Sequence, residues 1–200
     1  MTWMHDQRLD AVLGALRSAG AETIVDLGCG DGPLLVRLAH EPGVRRIVGV
    51  DVSAEALQTL RQRLAAAPEE VRCKVELRHA SMTEASDALT GFDAAVLVET
   101  IEHIEPDRLS QLERAVFRDM HPACAIITTP NSDYNALLGV PGHRMRHRDH
   151  RFEWGSGRFR DWTGGVARRN GYEVACGDVA GGTQKAVFSL AVGAGGAARP

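Results

Sequence analysis

From Thr23 to Thr129 the chain alternates short, nearly continuous apolar runs with segments of helical periodicity. The runs are TIVDLG (23–28), RRIVGVDV (45–52), KVELRHAS (74–81), FDAAVLV (92–98) and CAIITT (124–129). Between them, PLLVRLAH opens at Pro33, AEALQTLRQRLAAA follows a capping Ser53 with Glu55 in its first turn, and RLSQLERAVFRDM precedes the fifth run. Strands that are apolar on both faces need cover on both faces, so the pattern predicts an open α/β sandwich on a largely parallel sheet. Leu9, Val12, Leu13 and Leu16 recur at helical spacing and predict a further helix over residues 5–19, ended by Gly20.

After Pro130 the texture changes. Residues 131–151 mix Asn, Gly, Pro, Arg and His without period and predict a long loop, a kind of segment that often carries function. FEWGSGRFRDWTGGVARRNG predicts a glycine-weakened helix, and YEVACGDVA with AVFSLAVG an antiparallel pair at the sheet edge. One domain over residues 1–192 is expected, followed by a tail, 193–200, without ordered structure.

At 200 residues, 44% hydrophobic and 24% charged, the chain is long enough to fold alone. Its net charge of −3 excludes an overall electrostatic grip on nucleic acid and leaves room for a focal one. Cys29, Cys73, Cys124 and Cys176 are isolated singles without a CxxC pair, which predicts neither a disulfide framework nor a cysteine zinc site and fits a reducing cytoplasm. The first twenty residues contain no apolar core of an export signal, and no stretch approaches a membrane span, so no membrane partner is expected.

VDLGCGDG (25–32) sits where a strand turns into a helix. Gly28 and Gly30 permit close backbone approach to a ligand. A dinucleotide fingerprint would place a third glycine where Pro33 stands, and Asp26 and Asp31 repel phosphate. The acids suit a ligand with an ammonium or sulfonium group. Asp51 ends the second strand, where an acidic side chain commonly takes the ribose hydroxyls of an adenosine cofactor, and Ser81 follows the third, where an adenine would be framed. Together these features resemble S-adenosylmethionine-dependent methyltransferases. The resemblance implies a Rossmann-like methyltransferase sandwich: a mostly parallel seven-stranded sheet with helices on both faces, S-adenosylmethionine as cofactor, and Asp26, Gly28, Gly30, Asp51, Ser81 and Thr100 around it.

Ligands of open α/β sheets bind outside the carboxyl ends of the strands, at the switch point between first and fourth. VETIEHIEP (98–106) falls there, with Glu99, Glu102 and His103 close enough to converge. Two carboxylates and an imidazole suit a divalent cation such as Mg²⁺ or Mn²⁺, and no HExxH zinc motif is present. Any one glutamate alone would read as part of a solvated acidic turn. A second polar stretch, HRMRHRDHRFEW (143–154), interleaves Arg144, Arg146, Arg148 and Arg151 with histidines, and offers either a further metal ligand or a grip on phosphate. Phe152 and Trp154 predict an anchor of this loop on the sheet.

ETIEHIEP, ITTPNSDYN and RHRDHRFEW together are similar to the small-RNA 3′-terminal ribose 2′-O-methyltransferases, over nearly the whole chain. The resemblance implies that Glu99, Glu102, His103 and His150 hold one divalent cation, that His103 and His147 serve catalysis, and that the substrate is the 3′ end of an RNA. A metal across the terminal 2′ and 3′ hydroxyls would acidify and orient the 2′-oxygen. His147 is then a candidate proton acceptor, and Thr129, Asn131, Tyr134, Arg146 and Arg148 candidate contacts to the terminal nucleotide. Bacterial members work in RNA repair, which implies an RNA-repair kinase/phosphatase–ligase as a partner. The sequence departs from the family after FEW, where Gly155, Ser156 and Gly157 replace a Thr-Arg pair and a helix former, and a large N-terminal domain common in bacterial relatives is not found. Two other readings stay open. One is a metal-dependent methyltransferase of a small vicinal diol, and the other a non-catalytic RNA-end-binding module.

Overall fold

The computed structural model describes residues 3–84 and 87–191. Seven strands form one sheet: β1 (Thr23–Leu27), β2 (Arg46–Asp51), β3 (Val75–His79), β4 (Ala94–Val98), β5 (Cys124–Pro130), β6 (Tyr172–Val179) and β7 (Thr183–Leu190). Their order is β3-β2-β1-β4-β5-β7-β6. β1 to β5 pair in parallel, and β7 inserts antiparallel between β5 and β6. This is the Rossmann-like methyltransferase sandwich expected from the sequence.

Period-two alternation divides the strand side chains between two cores. Val25, Leu27, Ala95, Leu97, Ala125 and Ile127 face one, while Ile24, Ala94, Val96, Cys124 and Ile126 face the other. α1 (Trp3–Ser18), α2 (Pro33–His40), α3 (Ala54–Ala65) and a short α4 (Glu69–Arg72), which has no strong sequence signal, cover the second face. α5 (Leu109–Glu113), continued by a π-helical stretch Arg114–Met120, and α6 (Ser156–Asn170) cover the first. α3 starts where Ser53 Oγ accepts from Ala56 N at 3.1 Å, and α6 stops at Gly171, whose φ of 75° suits a glycine.

Several boundaries differ from expectation. α1 begins at Trp3, and β3 and β4 are shorter than the apolar runs that signal them. Before β4, Asp93 instead accepts hydrogen bonds from Thr23 N (2.8 Å), Thr23 Oγ1 (2.8 Å) and Glu22 N (3.1 Å), tying the amino ends of β1 and β4. The expected tail, 193–200, and the end of the domain at 192 lie outside the described residues. Among the described residues no helix is long and apolar enough to cross a membrane.

The stretch after β5 is a loop, but one fastened at several points. Ser132 N donates to Trp154 O (3.1 Å), Arg151 N to Glu102 O (2.7 Å), and Gln184 Nε2 to Pro130 O (3.2 Å) and Trp154 O (2.8 Å). Phe152 and Trp154 are buried and stack with ring centroids 4.2 Å apart. Burial of the two aromatics pins the far end of the loop against the carboxyl edge of the sheet.

Candidate active site

β1 ends in the turn that opens α2, and Gly28, Gly30 and Gly32 there have φ of 76°, 56° and 80°, a region open to glycine at little cost. At Gly28 a second constraint applies: a Cβ would lie 2.4 Å from Thr100 Cγ2 and 3.0 Å from Met82 Cε. Asp51, at the end of β2, accepts from Gly30 N through Oδ2 and from Ser53 N through Oδ1, each at 2.8 Å, so one carboxylate fixes two turns. Its remaining lone pairs are free for hydroxyl donors. Ser81 is engaged with Thr83 Oγ1 at 2.8 Å.

Asp26 is buried beneath this turn, and its Oδ2 has no hydrogen-bond partner; the Thr100 hydroxyl is a second buried, unpartnered group. Burial, with the charge of Asp51 added to it, pushes the Asp26 carboxyl up to about 7. Two neighbouring acids and two unsatisfied polar atoms beside a glycine turn fit a ligand with a cationic group.

At the end of β4 the backbone turns sharply, and Glu99 adopts φ of 53°, an uncommon left-handed conformation for a residue with a side chain. The turn is held by Glu99 N donating to Thr128 O at 3.0 Å. The Glu99 carboxylate accepts from Thr128 Oγ1 at 3.0 Å and pairs with Arg8 at 3.2 Å, Arg8 reaching from α1 and also donating to Thr183. The helical turn Ile101–His103 then places Glu102 and His103. Glu102 is fully buried; Oε2 accepts from Thr129 Oγ1 at 2.9 Å and Oε1 has no partner. Burial first, and the negative charge of Glu99 second, push Glu102 up to about 8.

His150 closes the cluster from the loop. Ligand atoms of Glu102, His103 and His150 all lie within 4.8 Å of one another, a group that could hold a metal ion. Glu99, the fourth residue expected there, is turned to Arg8 and Thr128 and stands outside this group. His147 is beside it, with its ring centroid 6.1 Å from His103 and 5.6 Å from His150. Behind His150 lies Glu153, whose Oε1 sits 2.6 Å from His150 Nδ1 and also accepts from Arg146 N at 2.7 Å, while Oε2 accepts from Asn135 Nδ2 at 2.7 Å. Burial pushes Glu153 up, but these hydrogen bonds outweigh it and leave its carboxyl below the usual range. An ionised Glu153 can only accept, so His150 carries its proton on Nδ1 and offers the Nε2 lone pair to the cluster.

The cluster suits a cation on chemical grounds. Three acidic side chains, Glu99, Glu102 and Glu153, stand beside two guanidiniums, Arg8 and Arg146, and both the raised pKa of Glu102 and its unpartnered Oε1 mark a position where a positive charge would be stabilising. A carboxylate and two imidazoles are donors for a divalent ion of intermediate hardness.

The expected nucleotide contacts differ in how far the protein itself engages them. Thr129 and Asn131 are buried and engaged within the protein: Thr129 supports Glu102, and Asn131 Oδ1 accepts from Asp133 N at 3.0 Å. Arg146 is likewise engaged, donating to Asn131 O at 2.6 Å and Asn135 Oδ1 at 2.7 Å. Burial left these groups without water, so the protein itself satisfies them. Tyr134 is half-buried and Arg148 exposed, and both reach the surface. Residues 142–148 and His150 line a cleft of about 710 Å³, which meets the cluster at His150.

The family described as Methyltransferase domain matches residues 24–123. The methyltransferase domain of the bacterial protein CtHen1-CN superposes with a TM-score of 0.84 at 34% identity, covering 94% of this chain and 100% of that one. The chain belongs to the small-RNA 2′-O-methyltransferase family. Small RNA 2′-O-methyltransferases of this family from Rattus norvegicus and Arabidopsis thaliana are 34% and 31% identical over 86% and 89% of this chain. The chain spans 44% and 21% of the length of those two relatives. The crystal structure of the small RNA methyltransferase HEN1 superposes with a TM-score of 0.86 at 29% identity, over 98% of this chain and 27% of that one.

Two residues of this family domain escape a reading of the sequence. Arg8 is one of two arginines in an amphipathic helix, and nothing local marks it as the partner of Glu99. Glu153 lies between the aromatics of FEW, and its acidic side chain in a segment otherwise anchored by burial is the one available signal.

Proposed function

We propose that this chain transfers a methyl group from S-adenosylmethionine to the 2′-hydroxyl of the 3′-terminal nucleotide of an RNA, with one divalent cation, Mg²⁺ or Mn²⁺, at Glu102, His103 and His150. One observation carries the reading: Thr100 packs on Gly28 of the nucleotide turn, and Glu102 and His103, two and three residues further on, supply two of the three members of the cluster, so cofactor and cation sites share a wall. The naming of the relatives as small RNA 2′-O-methyltransferases supports the same substrate.

Asp51 takes the ribose hydroxyls of the cofactor, and Asp26 and Thr100 meet the cationic end of its methionine part. Glu102, His103 and His150 would hold the cation, which when bound lowers the pKa of a coordinated ribose hydroxyl. Glu153 keeps Nε2 of His150 aimed at the cluster, and Arg8 with Thr128 fixes Glu99 at its edge. In transfer the sulfur–methyl bond breaks as the oxygen–methyl bond forms, and the 2′-hydroxyl proton leaves; His147, at the mouth, is placed to accept it. The free 2′,3′-diol is thus what the site selects, and an RNA-repair kinase/phosphatase–ligase system would supply such ends in the cytoplasm.

Single-turnover methylation with Mn²⁺ or Mg²⁺ tests this on one RNA ending in ribose, in 2′-deoxyribose, or in a 3′-phosphate. Transfer to the ribose end alone is expected. Transfer to the 2′-deoxy end would overturn the site assignment, transfer to a catechol but to no RNA would favour a small-diol methyltransferase, and binding of RNA without transfer would favour an end-binding module.

A further inference from the structure

A second cleft, of about 400 Å³, is lined among others by Pro106, Ser132, Trp154 and Arg158. It shares Arg144 and Met145 with the cleft that meets the cluster, so the two adjoin at Arg144. The arginines around them are not equivalent. Arg146 is committed to backbone and amide oxygens, and Arg151 pairs with Glu105 at 3.1 Å. Arg144 and Arg158 are exposed, and among the described residues neither has a carboxylate partner. The Arg158 guanidinium lies 5.1 Å from the Trp154 ring, a cation–π contact that holds it at the cleft. Two acids nearby are already engaged: Glu153 by three donors, and Asp133 by Ser156 N (2.9 Å) and Oγ (2.8 Å) at the start of α6.

We infer that the second cleft is the track of the RNA strand leading to the reactive end. Phosphodiesters upstream of the terminal nucleotide lie between Arg144 and Arg158, while the terminal ribose enters the first cleft. The inference rests on the RNA reading above and deepens it. Arg144 sits at the junction of the clefts, where the strand must cross. Guanidiniums match phosphate oxygens in pairs and carry no sequence preference, so the track serves RNAs of any sequence. The grip that the sequence suggests for the loop arginines as a group thereby moves to one loop residue and one residue in the first turn of α6.

The test compares a 3′-hydroxyl RNA of about twenty nucleotides with a ribodinucleotide, in the wild type, Arg144→Glu, Arg158→Gln and the double variant. Thermal melting and binding of S-adenosylhomocysteine establish that each variant is folded. In the double variant KM for the long RNA is expected to rise on the order of tenfold more than KM for the dinucleotide, and the slope of log affinity against log salt to become shallower by about 2, one per lost phosphate contact. A wild-type salt slope retained in the folded double variant, or an equal rise in KM for both substrates, would overturn the track while leaving the methyltransferase reading intact. A wild type that methylates neither RNA would overturn that reading and the track with it.

Discussion

His150 and Glu153 are joined by a 2.6 Å hydrogen bond in which the carboxylate fixes the imidazole tautomer, and the same carboxylate ties the loop through Arg146 N and Asn135. One side chain thus sets both the direction of a candidate ligand and the shape of the segment that carries it. Glu153→Gln keeps the volume but presents an NH₂ where one acceptor was. A 10–100-fold loss of Mn²⁺ affinity is expected, as for other residues that orient a metal-binding histidine. Calorimetric titration of the cofactor-free protein reads it directly. Unchanged Mn²⁺ affinity in a folded variant would contradict the positioning role.

Arg8→Ala removes the cation beside Glu99 and leaves that carboxylate, four-fifths buried, with Thr128 alone. The side chains are partly open to solvent, so the loss is expected at about 1–3 kcal/mol, below that of a fully buried pair. Urea unfolding measures it. A change under about 0.5 kcal/mol, the level of an ordinary surface substitution, would show that the pair is not what holds the strained turn at Glu99.

Gly28→Ala places a methyl group 2.4 Å from Thr100 Cγ2 at a φ of 76°. Backbone strain and the clash together are expected to cost about 1–3 kcal/mol and to move Thr100, weakening S-adenosylhomocysteine binding by at least about tenfold. Gly43→Ala is the control, since a Cβ there meets nothing within 4 Å. Equal binding by the two variants would separate the cofactor site from this turn.

What the sequence revealed, and what it hid, follows from the range of the interactions. Strand and helix periods are local, which is why β1 to β5 and the longer helices between them are readable from apolar spacing, while the single turn of α4 is too short to show a period. The cluster was readable because Glu102 and His103 are adjacent and mark a strand end. His150 required a resemblance, since no local rule links a loop histidine to a turn far behind it. The internal role of Thr129 was hidden because its partner is distant in sequence: in a sheet covered on both sides, its hydroxyl is turned inward to Glu102. Arg146 looked like its neighbours Arg144 and Arg148; only the folded loop shows that its donors already have acceptors.

Asp26 makes the stability of the ligand-free protein depend on pH in an unusual sense. Burial, reinforced by Asp51, raises its folded-state pKa to about 7, while in the unfolded chain it titrates near the ordinary carboxylate value of about 4. Between these values the folded protein holds a proton that the unfolded chain has released, so this group's contribution to stability is greatest below about pH 4, falls as pH rises to about 7, and is level above it. A ligand cation would remove the penalty by stabilising the charged form. Asp26→Asn should therefore be the more stable protein at pH 8 without ligand, with the difference from wild type vanishing toward pH 4, and should gain less stability from S-adenosylmethionine. Unfolding free energies across pH 4–8, with and without S-adenosylmethionine, check both parts, and a wild-type-minus-variant difference that does not change with pH would mean that Asp26 is not a buried acid poised for a cationic ligand.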